Sequence, residues 1–179
     1  MNQFFNKDIR QFFLKLIILV IVWELAYYFL LKPVRVPDKL LTDIIAAGVT
    51  WCFNLASKPS SYIWMQYQGV PGDYIFLNGK AVLLIADICN ALNLIVIYIG
   101  FIILMPYYSF KRKLIFGLSG IIGLIVADII RCGLLYWIYR KNPQAFDLNH
   151  HYVFSVAMYL LIFAGWALFI QGKRTNEVG

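Results

Sequence analysis

Charge is what this chain has least of. Only 14% of its 179 residues are charged, against 61% hydrophobic, and just nine are acidic. Soluble domains carry roughly 25% charged residues, so a water-solvated globule is excluded. Histidine is scarcer still, with two adjacent copies, His150 and His151. The cysteines, Cys52, Cys89 and Cys132, form no CxxC pair. A cysteine with two neighbouring histidines makes no convincing zinc set, so neither metal nor cofactor is expected. No repeat or low-complexity segment is evident. The formal charge of +7 calls for no nucleic-acid partner, because it gathers at the ends of apolar runs.

Those runs dominate the chain. Crossing a bilayer core of roughly 30 Å takes about 20 apolar residues. Four segments qualify, at 12–31, 81–105, 114–139 and 152–170. The first is too long for a cleaved signal peptide, and Lys32-Pro33 follows where small residues would be needed, so it is read as a retained span. The expected fold is an all-α polytopic membrane protein, a single membrane domain over 1–179 with about four transmembrane helices.

Basic residues give the orientation. Lys7, Arg10 and Lys15 flank the first run, Lys111 to Lys113 fill the turn after the second, and Lys173 and Arg174 follow the fourth. Short Lys/Arg-rich loops stay in the cytoplasm, which puts both termini and the 106–113 turn inside, and 32–80 and 140–151 outside. Leu40 to Ala56 is apolar at helical spacing. A full crossing there would carry Lys111–Lys113 to the wrong side, so a re-entrant or interfacial helix is expected. Pro33 and Pro37 are read as ending the first helix. The stretch from Ser57 to Asp73 reads as turns, with Pro59 and Pro71. Asn78-Gly79 between short apolar runs predicts a β-hairpin just before the Cys89 segment.

Three chemically capable groups share one depth. Cys89 stands 21 residues before residue 110 and Arg131 stands 21 after it. His151 precedes Lys173 by 22 residues. At about 1.5 Å per helical residue, each lies roughly 30 Å above the inner turn. A thiol, a guanidinium and an imidazole at one level suggest a nucleophile, a charge stabiliser and a proton shuttle. Each has a plainer reading. A lone membrane cysteine usually serves as a small hydrophobe. Arg131 has Asp128 at i−3 as an intrahelical partner, or snorkels to headgroups. The histidines can anchor at the interface beside Tyr152. Glu24 and Asp87 are candidate partners for the cations. An arginine inside a span nonetheless costs about 3 kcal/mol or more and is kept for a reason. Gly117-Leu118-Ser119-Gly120 matches the GxSG of rhomboid-type intramembrane serine proteases. Ser119, however, is only six residues from Lys113, far from either histidine. Gly117, Gly120 and Gly123 are better read as a helix-packing face.

The order Cys, Arg, His at the outer ends of successive spans resembles the exosortase/archaeosortase family of membrane-embedded, cysteine-dependent protein-sorting enzymes. The likeness lies in AVLLIADICNALNLIVIYIGFIILMP, GIIGLIVADIIRCGLLYWIYR and NHHYVFSVAMYLLIFAGW, about residues 69–170. Three positions depart from the family pattern. Ala91 stands for a glycine in Cys89-Asn90-Ala91-Leu92, Asp128 for an asparagine three before Arg131, and Ser155 for a glycine four after His151.

The resemblance implies a transpeptidase or protease in the cytoplasmic (inner) membrane with its site facing outside. Its substrates would be secreted proteins ending in a short motif, a transmembrane helix and a basic end, packed among membrane lipid. It implies Cys89, Arg131 and His151 as catalytic, with His150, Asn149, Asp128 and Asn90 as alternative or supporting residues. A cation beside Cys89 is expected to lower its pKa. Two other readings remain open. One is a membrane thiol oxidoreductase built on Cys89 and Cys132. The other is a non-catalytic assembly or transport subunit whose polar residues only join helices.

Overall fold

The computed structural model describes residues 2–67, 69–106 and 108–171. Lys173 and Arg174, on which part of the orientation rests, lie outside the described residues. Helix α1, Asn2–Ala26, continues through a π-helical turn, Tyr27–Leu31, into α2, Lys32–Val34. Pro33 therefore does not stop the first helix. It sits in the opening turn of α2, where a missing N–H is tolerated. The break comes at Arg35, whose φ of 51° is left-handed and turns the chain into α3, Val36–Leu55.

Helix α3 carries a stripe of buried residues at helical spacing: Asp38, Thr42, Ile45, Ala46, Val49, Thr50 and Phe53. Its apolar part packs on Ile75, Leu77 and Ile85 of a small sheet, and on Cys132 and Tyr136 of a later helix. The helix expected over 40–56 is thus present and longer at its start, and one face is occupied by protein. The sheet is antiparallel, in the order β1 (Ser60–Tyr67), β2 (Val70–Leu77), β3 (Lys80–Ala86). The β2–β3 turn holds Asn78 at φ 51° and Gly79 at φ 77°, the paired left-handed residues that match strand twist. The predicted hairpin is therefore found. Strand β1 was expected to be turn.

The run 81–105 is not one span. Residues 81–86 complete β3, Asp87–Cys89 form a 3-10 turn, and the next helix, α4, is Leu92–Leu104. A continuous apolar run does not separate a buried strand from a helix, and the hairpin turn commits these residues to the sheet. Thirteen helical residues span only about 20 Å, short of the hydrocarbon core. Cys89 is therefore not 21 helical steps from the turn, and the equal-depth arithmetic fails on that arm.

Helix α5, Phe110–Lys141, is followed by α6, Ala145–Leu148, a π-helical turn, Asn149–Val153, and α7, Phe154–Gln171. Among the described residues, three helices are long and apolar enough to cross a membrane: Arg10–Val34, Phe110–Lys141 and Ala145–Gln171. Helix α4 packs against α1, α5 and α7. Tyr98 locks it in place. Its hydroxyl donates to the Phe116 carbonyl at 3.1 Å. A Cβ on Gly120 would overlap the Tyr98 ring, and one on Gly165 would come within 2.8 Å of it. Of the predicted glycine face, Gly120 and Gly117 point at α4, whereas a Cβ on Gly123 would meet nothing within 4 Å. At the 105–109 end, Arg112 donates to the Phe169 carbonyl at 2.7 Å and Lys113 to the Ile103 carbonyl at 2.8 Å. These cations thus satisfy carbonyls that helix ends leave unpaired.

Candidate active site

Cys89 sits in the bend that joins sheet to membrane helix. Strand β3 ends at Ala86, the 3-10 turn follows, and α4 starts after Ala91, whose φ of 59° is left-handed. Asn90 is buried and closes the bend. Its Oδ1 accepts from the Leu92 amide at 3.0 Å, and its Nδ2 donates to Asp38 Oδ1 at 2.9 Å. Asp87 opens the bend and accepts from Arg35 Nε and Nη2 at 2.6 and 2.8 Å, and from Thr42 Oγ1 at 3.0 Å. Asp87 was a candidate partner for the membrane cations; its partner is Arg35. Glu24 is exposed and forms no ion pair among the described residues.

Two groups from the long helices reach Cys89. The sulfur lies 3.9 Å from Nε2 of His150. Arg131 donates from Nη2 to the Cys89 carbonyl at 2.8 Å. That guanidinium also stands 2.9 Å from Asp128 Oδ1, with the carboxylate fully buried. The i,i+3 pairing and the approach to Cys89 thus coexist. The pair is close without hydrogen-bond alignment: Asp128 oxygens and Arg131 Nε have no hydrogen-bond partner among the described residues.

Of the two histidines, His150 faces the thiol. Its ring stacks on Phe146, centroids 5.5 Å apart and 7° from parallel, and meets His151 edge-on at 4.7 Å. His151 is exposed, and no contact joins it to Cys89. The sequence reading preferred His151; the geometry reverses that order. Neighbouring positions on a helix point about 100° apart, so only one can face inward. Asn149 donates to the Ala145 carbonyl at 2.7 Å and so braces its own helix rather than an imidazole.

Burial pushes the Cys89 thiol up from its ordinary range; Arg131 pulls it down, and Asp128 reinforces burial. The net direction is upward, opposite to the expected lowering. Desolvation of the thiolate outweighs one cation that is already paired with Asp128. A cavity of about 160 Å³ opens beside the thiol, lined in part by Tyr27, Asp38, Asn93, Leu94 and Arg131. All three cysteines are free; Cys132 is buried and Cys52 is exposed. Ser119 donates to the Phe116 carbonyl of its own helix at 3.2 Å, away from both histidines.

Sequence reasoning missed Arg35, Asp38, Thr42 and Tyr27. Arg35 carried a weak signal, a cation between Pro33 and Pro37. The others are ordinary helix residues until the fold brings them to Asp87 and Asn90.

A search of characterised proteins and one of solved structures found no match. The chain does match the family model for transmembrane exosortases over residues 5–174 of 179, so the agreement takes in the first span and α3 as well as the segments that carry the Cys, Arg and His. With three membrane-length apolar helices and that match, this is a membrane protein, and it belongs to the transmembrane exosortase family.

Proposed function

We propose that the chain is a membrane cysteine protease or transpeptidase that cleaves C-terminal sorting tails of secreted proteins. Cys89 is the nucleophile, His150 the general base and acid, and Arg131 the electrostatic stabiliser. The observation that carries this reading is the approach of His150 Nε2 to within 3.9 Å of Cys89 Sγ, with Arg131 held on the same residue.

The chemistry follows from those positions. The half-buried thiol holds its proton, so it needs a base in reach. Nε2 takes the proton as sulfur attacks the scissile carbonyl carbon, and the C=O electron pair moves onto oxygen. In this reading Arg131, which lines the cavity beside the thiol, stabilises that oxyanion. The intermediate then collapses to a thioester, and the amine leaves with the proton from His150. Water or an amine finally displaces sulfur, regenerating the thiol. In this reading the substrate's motif reaches Cys89 from the outer face of the cytoplasmic membrane, and its helix lies among the spans.

The decisive experiment replaces the sulfur. Cys89→Ala, expressed at wild-type level in membranes, is expected to abolish processing of a tailed secreted protein from the same genome. It should also lose the hydroxylamine-sensitive adduct. Cys52→Ala and Cys132→Ala are expected to keep both. Full processing by Cys89→Ala would end the thiol mechanism.

A further inference from the structure

The Cys89 bend hangs between two bodies. On one side, Arg131 and His150 from the long helices touch Cys89 itself. On the other, the residues flanking it are tied to the start of α3. Upstream, Asp87 takes two hydrogen bonds from Arg35 and one from Thr42. Downstream, Asn90 donates to both the side chain and the carbonyl of Asp38, and lies 3.4 Å from Thr42 Oγ1. None of these ties reaches the sulfur. They decide where it stands.

Arg35 is the unusual member. It holds the left-handed conformation at the joint between α2 and α3, a region that non-glycine residues seldom occupy. At that joint its guanidinium lies over the Trp64 ring, 5.0 Å from the centroid, and meets Asp87 through two donors. A planar fork on a carboxylate fixes direction as well as distance, which a single bond cannot do. The ion pair is largely sheltered, with side chains 23% and 14% exposed. Without it, the Asp87 end of the turn keeps a single side-chain tie, the one from Thr42. No side chain caps the turn, and Ile88 in its middle is 88% exposed.

Building on the thiol chemistry proposed above, we infer that Arg35 and Asp87 are positioning residues: a latch at the joint between α2 and α3 that sets the Cys89 sulfur against the His150 imidazole. Displacing a reacting atom by about 1 Å can cost roughly 100-fold in rate. The latch therefore acts on sulfur placement.

Iodoacetamide alkylation of Cys89 tests this without any substrate. The full-length protein is prepared with Cys52→Ser and Cys132→Ala, and the rate is followed from pH 6 to pH 10. At neutral pH, reaction depends on proton transfer to His150; at pH 10 hydroxide can take the proton instead. Arg35→Gln and Asp87→Asn are each expected to lower the pH 7 rate roughly tenfold or more, and to leave the pH 10 rate within about twofold. The reversed pair, Arg35→Asp with Asp87→Arg, should recover much of the pH 7 rate that each reversal alone removes. Thr42→Val keeps volume, loses one bond to Asp87 and should give a smaller loss at pH 7 only; it serves if the charge variants fail to fold. An unchanged pH 7 rate in Arg35→Gln and Thr42→Val overturns the latch, as does an equal fall at both pH values. The two readings fail separately. Processing by Cys89→Ala would end the catalytic reading and leave the latch standing on alkylation. An intact pH 7 rate in the latch variants would end the latch and leave Cys89 as nucleophile.

Discussion

Cys89 Sγ faces Nε2 of His150 across 3.9 Å, although 61 residues separate them in the chain. The neighbouring His151 is exposed and meets the His150 ring in a T-shaped contact. Removing a general base costs about 10²- to 10⁴-fold. His150→Ala is therefore expected to lose at least 100-fold in single-turnover cleavage, and His151→Ala only a few-fold. Membranes matched for protein level and a hydroxylamine trap for the thioester give the comparison. The opposite ranking would return the role to His151.

Arg131 meets two partners. Nη2 serves the Cys89 carbonyl and stands against Asp128, while Nε is buried and unpaired. Lysine keeps the charge but has no planar fork with which to meet both sites. Arg131→Lys should fall by about 100-fold or more in single-turnover rate, in the range seen for loss of an oxyanion donor. An active Arg131→Lys would reduce this residue to a generic positive charge.

The sequence made the hairpin and the chemistry legible for different reasons. Asn78-Gly79 is a local signal, and its φ angles of 51° and 77° are what that pair specifies. Cys89, Arg131 and the histidines stood out because polar groups at membrane ends are rare. What failed was non-local. Strand β1 was hidden among prolines and glycines, and exists because Ser60 to Tyr67 pair along β2. The run 81–105 kept its apolar content but changed structure at Ala86, which composition does not register. His150 and His151 share one π turn, and composition does not say which of two adjacent imidazoles lies against Cys89. The anchors of Asp87 and Asn90 span 45 to 52 residues of chain, and no spacing rule reaches that far.

Orientation is open to labelling. The charge pattern places the sheet and the 142–144 turn outside, and the 105–109 turn inside. In a background lacking native cysteines, single cysteines at Ser61 and Asn142, both exposed, should react with an impermeant maleimide applied outside intact cells. A cysteine at Ser109, also exposed, should react only after permeabilisation. Outside labelling at Ser109 would invert the protein and with it the side from which substrate arrives.

Asp73 gives a pH test of the sheet beneath the bend. It is fully buried on β2, and neither carboxylate oxygen has a hydrogen-bond partner among the described residues. Burial, and then Asp43, push its pKa up to about 6, with Arg35 pulling the other way. A carboxyl raised above its unfolded value favours folding while protonated, and loses that contribution as pH rises from about 4 through 6. Asp73→Asn should therefore raise the melting temperature at pH 7.5, by a stabilisation on the order of 2 kcal/mol, and change it little at pH 4. A gain that did not vary with pH would mean that ionisation of Asp73 is not what limits stability.

Ala91 holds a backbone shape that suits glycine better. Its φ of 59° follows directly on the Asn90 closure, and its methyl is buried, 8% exposed. A left-handed L-residue costs about 1–2 kcal/mol. Glycine would relieve that cost but gives up roughly 0.8 kcal/mol of methyl burial and gains freedom in the unfolded chain. The opposing terms nearly cancel, so Ala91→Gly is expected within about 1 kcal/mol of wild type, with cleavage retained. Ala91→Val has no such compensation. A β-branched residue is poorly tolerated at positive φ, and in this buried bend it should destabilise by about 2 kcal/mol or more. It should also displace the sulfur two residues upstream. Thermal unfolding in detergent, read beside Cys89 alkylation at pH 7, checks both effects. If Ala91→Val matched wild type in both, the left-handed bend at this position would be wrong, and the placement of the thiol with it.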